Sequence, residues 1–268
     1  MEKIIVALDL TAVSVSAVKY ALKFKETTQC EIIYVHVTDD EDEKKVRSEV
    51  ERFLIPHTPF NQNDIYIVKG NYRTEISRVA ELMRCDLVIM ATHGEKGAQR
   101  LLGSHALKVI ADSSVPFVVI QEGTNFKPIQ NIALTIDLEQ ESVQIIKHAK
   151  KLAMVFGAKV HLVGGQHNDS RLVNKVKTNI AVCLRQLKEE GVEACHVLLD
   201  RKNFDSNLIQ YCQESSIDLL AASYYQQKLF AFSDRFVQNL LVNNLNLPII
   251  TIEANSTTKS GQYSFLSI

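Results

Sequence analysis

Three glycines and a serine have the types and spacing that could cradle a phosphate. Gly94, Gly97 and Gly103 fall in the run Met90-Ala91-Thr92-His93-Gly94-Glu95-Lys96-Gly97-Ala98-Gln99-Arg100-Leu101-Leu102-Gly103-Ser104. Glycine tolerates positive φ and, lacking Cβ, lets backbone N–H groups close on an anion. Ala106, Val109 and Ile110 follow at helical spacing, so a helix is expected over 104–111. Its first N–H groups and positive dipole end suit a phosphate, and Ser104 suits either a helix cap or a phosphate donor. The bland alternative is equally physical: turn glycines followed by an ordinary capped helix. Lys96 and Arg100 could supply cations, Glu95 and His93 a base or a metal-shell group. For His93 and His105 backbone-directed placement is favoured over catalysis, because no complete set of acid, base and nucleophile is evident around them. There is no Walker P-loop and no HxGH string.

These residues need elements to position them. Ile4 to Leu8 is a short continuous apolar run, as in a strand buried on both faces. Val13, Ala17, Tyr20, Ala21 and Phe24 make one helical face. The same reading gives strands at 32–37, 65–68, 86–91 and 117–120, and helices at 41–54 and 75–83. The acidic run Asp39 to Glu43 reads as a solvated helix start. Alternating strands and helices imply βαβ crossovers and a parallel sheet covered on both faces, the doubly wound class. Ligands of such sheets sit beyond the carboxyl ends of the strands. The first strand ends there at Asp9, the second at His36-Val37 and the fourth at the glycine run.

The chain also repeats itself. Residues 3–37 lie on 131–165 without a gap, with nine of 35 positions identical, among them Asp9/Asp137, Ser14/Ser142, Lys23/Lys151 and Val35/Val163. At an offset of 132, Asp86-Leu87 falls on Asp218-Leu219 and Pro116 on Pro248. Two copies of domain size exclude a solenoid. The expected layout is a first domain over 1–125, a second over 126–255 and a polar tail over 256–268. The second copy has a long helix carrying Leu172, Val176, Ile180, Leu184 and Leu187. It has lost the glycines: Gly94, Gly97, Gly103 and Ser104 become Gln226, Leu229, Arg235 and Phe236, amid Tyr224, Tyr225, Phe230 and Phe232. Asp137 without the loop is most simply a turn or capping residue.

The bulk composition narrows the function classes. With 30 Lys plus Arg against 31 Asp plus Glu, no net field draws in nucleic acid or an anionic membrane. No apolar run approaches the ~18 residues of a membrane span, and the N-terminus opens directly into a strand with no signal-peptide pattern. Cys30, Cys85, Cys183, Cys195 and Cys212 are scattered and odd in number, which reads as reduced, mostly buried thiols of a cytoplasmic protein. Cys195-His196 reads as a strand pair facing opposite ways, not as a metal site.

The string ATHGEKGAQRLLGS, followed by Val109-Ile110, Pro116 and a β-branched strand, resembles the C-terminal signature of universal stress proteins. The opening strand ending in Asp9 and the strand ending in His36-Val37 fit the same family, as two tandem domains over essentially the whole chain. The resemblance implies a universal stress protein fold, of the adenine nucleotide alpha hydrolase-like class. It implies ATP or AMP as ligand, with Mg only alongside nucleotide. Asp9 and Val37 would contact the adenine side and Ala7 and Met90 line the base pocket, while Gly94, Gly97, Gly103, Ser104 and the His105 backbone would hold phosphates. The family's nucleotide binders carry Gly-x2-Gly-x9-Gly-(Ser/Thr). Here Ala91 replaces the first glycine and only eight residues separate Gly94 from Gly103.

Three functions follow as expectations: an adenine-nucleotide-responsive stress regulator with its site in the first domain, a nucleotide-free protein-interaction scaffold, and an enzyme of at most slow ATP hydrolysis. Asp9 stands between two roles, adenine ligand and helix cap. The expected partners are an intrachain pseudo-dimer joined through Phe117–Ile120 and Ile249–Ile252, a homodimer, and a protein not identifiable from sequence.

Overall fold

A computed structural model of the chain describes residues 1–92, 102–111, 113–225 and 234–254, with the backbone alone at 102–105 and 234. The first half runs β1 (Lys3–Leu8), α1 (Ala12–Thr28), β2 (Glu31–Thr38), α2 (Glu43–Leu54), β3 (Ile65–Lys69), α3 (Tyr72–Leu82), β4 (Leu87–Thr92), α4 (Leu102–Ile110) and β5 (Phe117–Gln121). The second half repeats it as β6 (Asn131–Ile136), α5 (Ile146–Phe156), β7 (Lys159–Gln166), α6 (Ser170–Glu189), β8 (Ala194–Asp200), α7 (Phe204–Glu214), β9 (Leu219–Tyr224), α8 (Asp234–Leu241) and β10 (Ile249–Glu253).

The fold is α/β, as expected, and each half is a parallel, doubly wound sheet. The strand order is β3-β2-β1-β4-β5 in the first half and β8-β7-β6-β9-β10 in the second. The halves join where β5 meets β10 antiparallel, Val119 opposite Ile249 and Val118 opposite Ile250, making one ten-stranded sheet. These are the two final strands expected to pair. All ten of their residues are buried. An edge that apolar is protected only by pairing.

Strand alternation divides the core between the two faces. Ile4, Val6 and Leu8 pack with α1, α2, α5 and α6, while Ile5 and Ala7 pack with α3, α4, α7 and α8. The seam is sealed by rings. Phe126, from the connection between halves, lies edge-on to Tyr20 at 5.1 Å and touches Phe156 at 6.2 Å. Asp86 and Asp218, matched in the repeat, do the same work in each half. Asp218 Oδ2 accepts the N–H groups of Gln130 (2.9 Å) and Asn131 (3.0 Å), and Asp86 Oδ2 accepts that of Glu2 (2.6 Å), so each carboxylate pins the start of its first strand. Asp86 also takes the Lys151 ammonium across the seam.

Two helix starts differ from expectation. α3 begins at Tyr72, not Glu75, because the Asn71 side chain caps it by accepting the Arg73 N–H at 3.0 Å. α4 begins at Leu102, so Gly103 and Ser104 lie within it by backbone position. Of the five cysteines, four are buried and Cys195 is partly so, and all are free thiols.

Candidate functional site

The strand order reverses between β1 and β4, the place where open parallel sheets hold ligands. α1 leaves β1 toward one face of the sheet and α4 follows β4 on the other. A cavity of about 330 Å³ opens at this point. Its wall includes Asp9 from the end of β1, Val13 from α1, Met90, Ala91 and Thr92 from the end of β4, and Ala106 and Val109 from α4. Asn71, Tyr72 and Arg73 close it from the β3–α3 corner. The volume lies at the lower end of the ~300–1,000 Å³ usual for small-molecule sites.

Asp9 shapes the turn from β1 into α1. Its Oδ1 accepts the Thr11 N–H (3.0 Å), the Thr11 hydroxyl (2.6 Å) and the Ser14 hydroxyl. Leu10 between them has a φ of 58°, a left-handed conformation that costs a non-glycine residue of order 1 kcal/mol. Asp9 is therefore a turn anchor, and it faces the cavity as well. Thr92 is 6% exposed, and its Oγ1 has no hydrogen-bond partner among the described residues. Burying an unpaired hydroxyl costs about 1–3 kcal/mol. Thr92 belongs to the cavity wall. Burial raises the Tyr72 phenol pKa and the Asp9 charge raises it further, so the hydroxyl stays protonated. His36, at the end of β2, bonds through Nδ1 to the Leu8 carbonyl at 2.9 Å and so ties β2 to β1 beside the site.

Asp9 and Met90 share the cavity wall. Ala7 is buried behind it in the core cluster that contains Met90, and Val37 is half-buried against that cluster. Gly103, Ser104 and His105 lie in the first turn of α4, by backbone placement. Gly94 and Gly97, with His93, Glu95, Lys96 and Arg100, lie outside the described residues. Asn71, Tyr72, Arg73 and Thr92 were not anticipated from sequence. The signal existed for the first three: Gly70-Asn71 after a strand marks a carboxyl end and a helix cap, but only the ends of the first, second and fourth strands had been placed at the site. Thr92 gave no signal, because an orphaned hydroxyl is a property of its surroundings.

The second half carries bulkier side chains at most of the equivalent described positions. Tyr224 stands for Thr92, Phe204 for Tyr72, Asp205 for Arg73 and Phe236 for Ser104. The Phe204 and Phe236 rings pack at 5.9 Å. Tyr225 is 2% exposed, its phenol pKa raised by burial and by the nearby Asp137 charge. Asp137 is the turn residue expected of it, its Oδ1 accepting the Glu139 N–H at 2.8 Å. Phe230 and Phe232 lie outside the described residues. Gly164 and Gly165 replace His36 and Val37. A Cβ on Gly164 would come within 2.6 Å of Val176 and 3.0 Å of Leu198, so the glycine lets the long α6 lie close on β7. No group of three or more metal-ligating side chains occurs among the described residues. No helix among them is long and apolar enough to cross a membrane.

Residues 1–121 match the model of the universal stress protein family. A universal stress protein of Methanocaldococcus jannaschii is 26% identical over 147 residues, covering 45% of this chain and 82% of that protein. A solved universal stress protein of Archaeoglobus fulgidus matches across both halves with a TM-score of 0.70 at 14% identity, over 94% of this chain and 98% of the other. A putative universal stress protein of Pseudomonas aeruginosa matches with a TM-score of 0.57 at 13% identity, over 94% and 93%. At those identities the two structures speak for the fold, and for its doubling.

Proposed function

Because the chain belongs to the universal stress protein family through its first half, we propose that it is a cytoplasmic, adenine-nucleotide-responsive stress regulator with its ligand site in the first half only. The proposed division is 1–125, 126–255 and a tail over 256–268. The proposed site is Ala7, Asp9, Val37, Met90, Gly94, Gly97, Gly103, Ser104 and His105, with ATP or AMP as ligand and Mg bound only with nucleotide. One observation carries the reading: a cavity at the strand reversal of the first half is walled in part by Thr92, a buried residue whose hydroxyl has no partner among the described residues, and packed rings stand at the counterpart positions described in the second. Binding by backbone N–H groups does not by itself speed cleavage, since acceleration requires groups that favour the transition state over the bound substrate. Turnover is therefore expected to stay far below roughly 1 s⁻¹, with the nucleotide acting as a conformational ligand.

Native protein, precipitated and spun, should release AMP, ADP or ATP into the supernatant, and the purified chain should titrate with one nucleotide per chain. Nucleotide located in the second half with the first empty would reverse the assignment. The second reading, a nucleotide-free scaffold, is favoured by the filled second half. A native chain that binds no adenine nucleotide, by release or by titration, would establish it.

A further inference from the structure

Arg73 is placed against the electrostatics of its own helix. It lies in the first turn of α3, next to the cap Asn71, where the positive end of the helix dipole disfavours a cation. The equivalent position on α7 carries Asp205, the sign the dipole prefers. Arg73 is exposed and has no ion pair among the described residues. Glu75, the nearest acid in sequence, is taken by Arg78 at 2.6 Å. The cavity that Arg73 borders also contains the unpartnered, buried Thr92 hydroxyl. The N–H groups of Arg73, Thr74 and Glu75 are already taken by Asn71, so a cation and an unpaired hydroxyl border this space, with the Asp9 carboxylate elsewhere on its wall. An anionic ligand group placed by Arg73 and away from Asp9 would pair the cation and could accept from the hydroxyl.

We infer that Arg73 is the charge-reading residue of this pocket, holding a phosphate of the bound nucleotide from the start of α3. The inference rests on the nucleotide reading above and goes further: it gives the ligand's negative charge a named partner outside the family's glycine pattern. It also accounts for a pocket whose glycine run is one residue short and starts from Ala91. The bare helix start would be weak evidence; the buried Thr92 hydroxyl on the same wall is an independent sign of a missing ligand group.

Calorimetric titration of the full chain with ATP and with adenosine tests it. A charge-assisted hydrogen bond contributes about 1.5–3 kcal/mol, or roughly 10- to 100-fold in affinity. Arg73→Gln should therefore weaken ATP binding at least about tenfold and leave adenosine binding unchanged. Arg73→Lys should restore most of the loss, and Arg73→Asp, which copies the second half, should exceed it. The position is exposed, so thermal midpoints should match the native chain. If Arg73→Gln binds ATP as the native protein does, or loses ATP and adenosine equally, Arg73 does not read charge, and the nucleotide reading stands without it. If the native chain binds neither ligand, the nucleotide reading falls and this inference with it.

Discussion

The two halves share a strand order and a turn aspartate, and they part at one place. In the first, the carboxyl ends of β1 and β4 border a cavity edged by Thr92, Tyr72 and Arg73. In the second, Tyr224, Phe204 and Asp205 stand at those positions, and Phe236 packs on Phe204. The scaffold tolerates both outcomes because the backbone ladder at the strand ends is kept in each half, Thr92 pairing with Gln121 and Tyr224 with Glu253, whatever side chain stands there. A duplicated fold can thus keep a site in one copy and convert the other to packing. The difference also shows what the second half gained: its aromatic residues bury area that an open pocket leaves exposed.

The largest effect should come from undoing the filling. Phe236→Ala removes a buried ring from its partner Phe204, and a loss of about 3–5 kcal/mol is expected, read as a lowered denaturation midpoint. The comparison fails if that cavity binds adenine nucleotide, since a single ring would then have been all that kept the ligand out of the second half. The converse exchange puts the second half's residue into the first. Gly103→Arg should lower nucleotide affinity by about 100-fold or more, equivalent to roughly 2.7 kcal/mol, with the fold intact by circular dichroism. Unchanged binding would place the ligand away from the start of α4.

Gly164 sharpens the contrast on the opposite layer. Gly164→Val must push against Val176 and Leu198 and should cost about 1–3 kcal/mol by overpacking. In the first half the equivalent His36→Gly should cost only about 1 kcal/mol, the net value of its hydrogen bond to Leu8. Equal losses would mean that α6 does not depend on the glycine for its close approach.

The smallest effect concerns pH. Tyr20 of the first half corresponds to His148 of the second, whose Nε2 is buried without a partner among the described residues. Burial, followed by Lys147 and Lys151, pushes the His148 pKa from 6.5 down to about 3, against a smaller opposing pull from Asp86. A folded pKa below the unfolded one means the unfolded chain takes up the proton first. Stability is therefore full above about pH 6.5 and falls as pH drops toward 3, with a slope of at most about 1.4 kcal/mol per pH unit from this group. Between pH 6.5 and 5, above most carboxylate titration, His148→Leu should flatten the slope. An unchanged slope would show that the imidazole is hydrated or paired.

Much of this molecule was legible as pattern. The run Ile4–Leu8, the 3–4 spacing of Val13 to Phe24 and the repeat at offsets 128 and 132 led to the doubly wound fold and its duplication, because burial on two faces requires those periodicities; the pairing of the final strands came from the family resemblance and from edges too apolar to stay open. Asp9 and Met90, both read from sequence, border the cavity at the carboxyl ends of β1 and β4. The β3–α3 corner went unread because its cap, Asn71, begins a helix three residues before its apolar face does.

By itself the sequence determined periodicity, repetition and the loss of glycines in the second copy, since these depend on residue type at fixed spacing. Only the tertiary structure decided that Arg73 and Thr92, 19 positions apart, border one cavity, and that Phe204 and Phe236 fill its twin. The physical reason is that a parallel sheet gathers loops from distant crossovers at one edge. Whether their side chains then meet, or leave a hydroxyl without a partner, depends on how neighbouring helices pack, and local spacing carries no information about that.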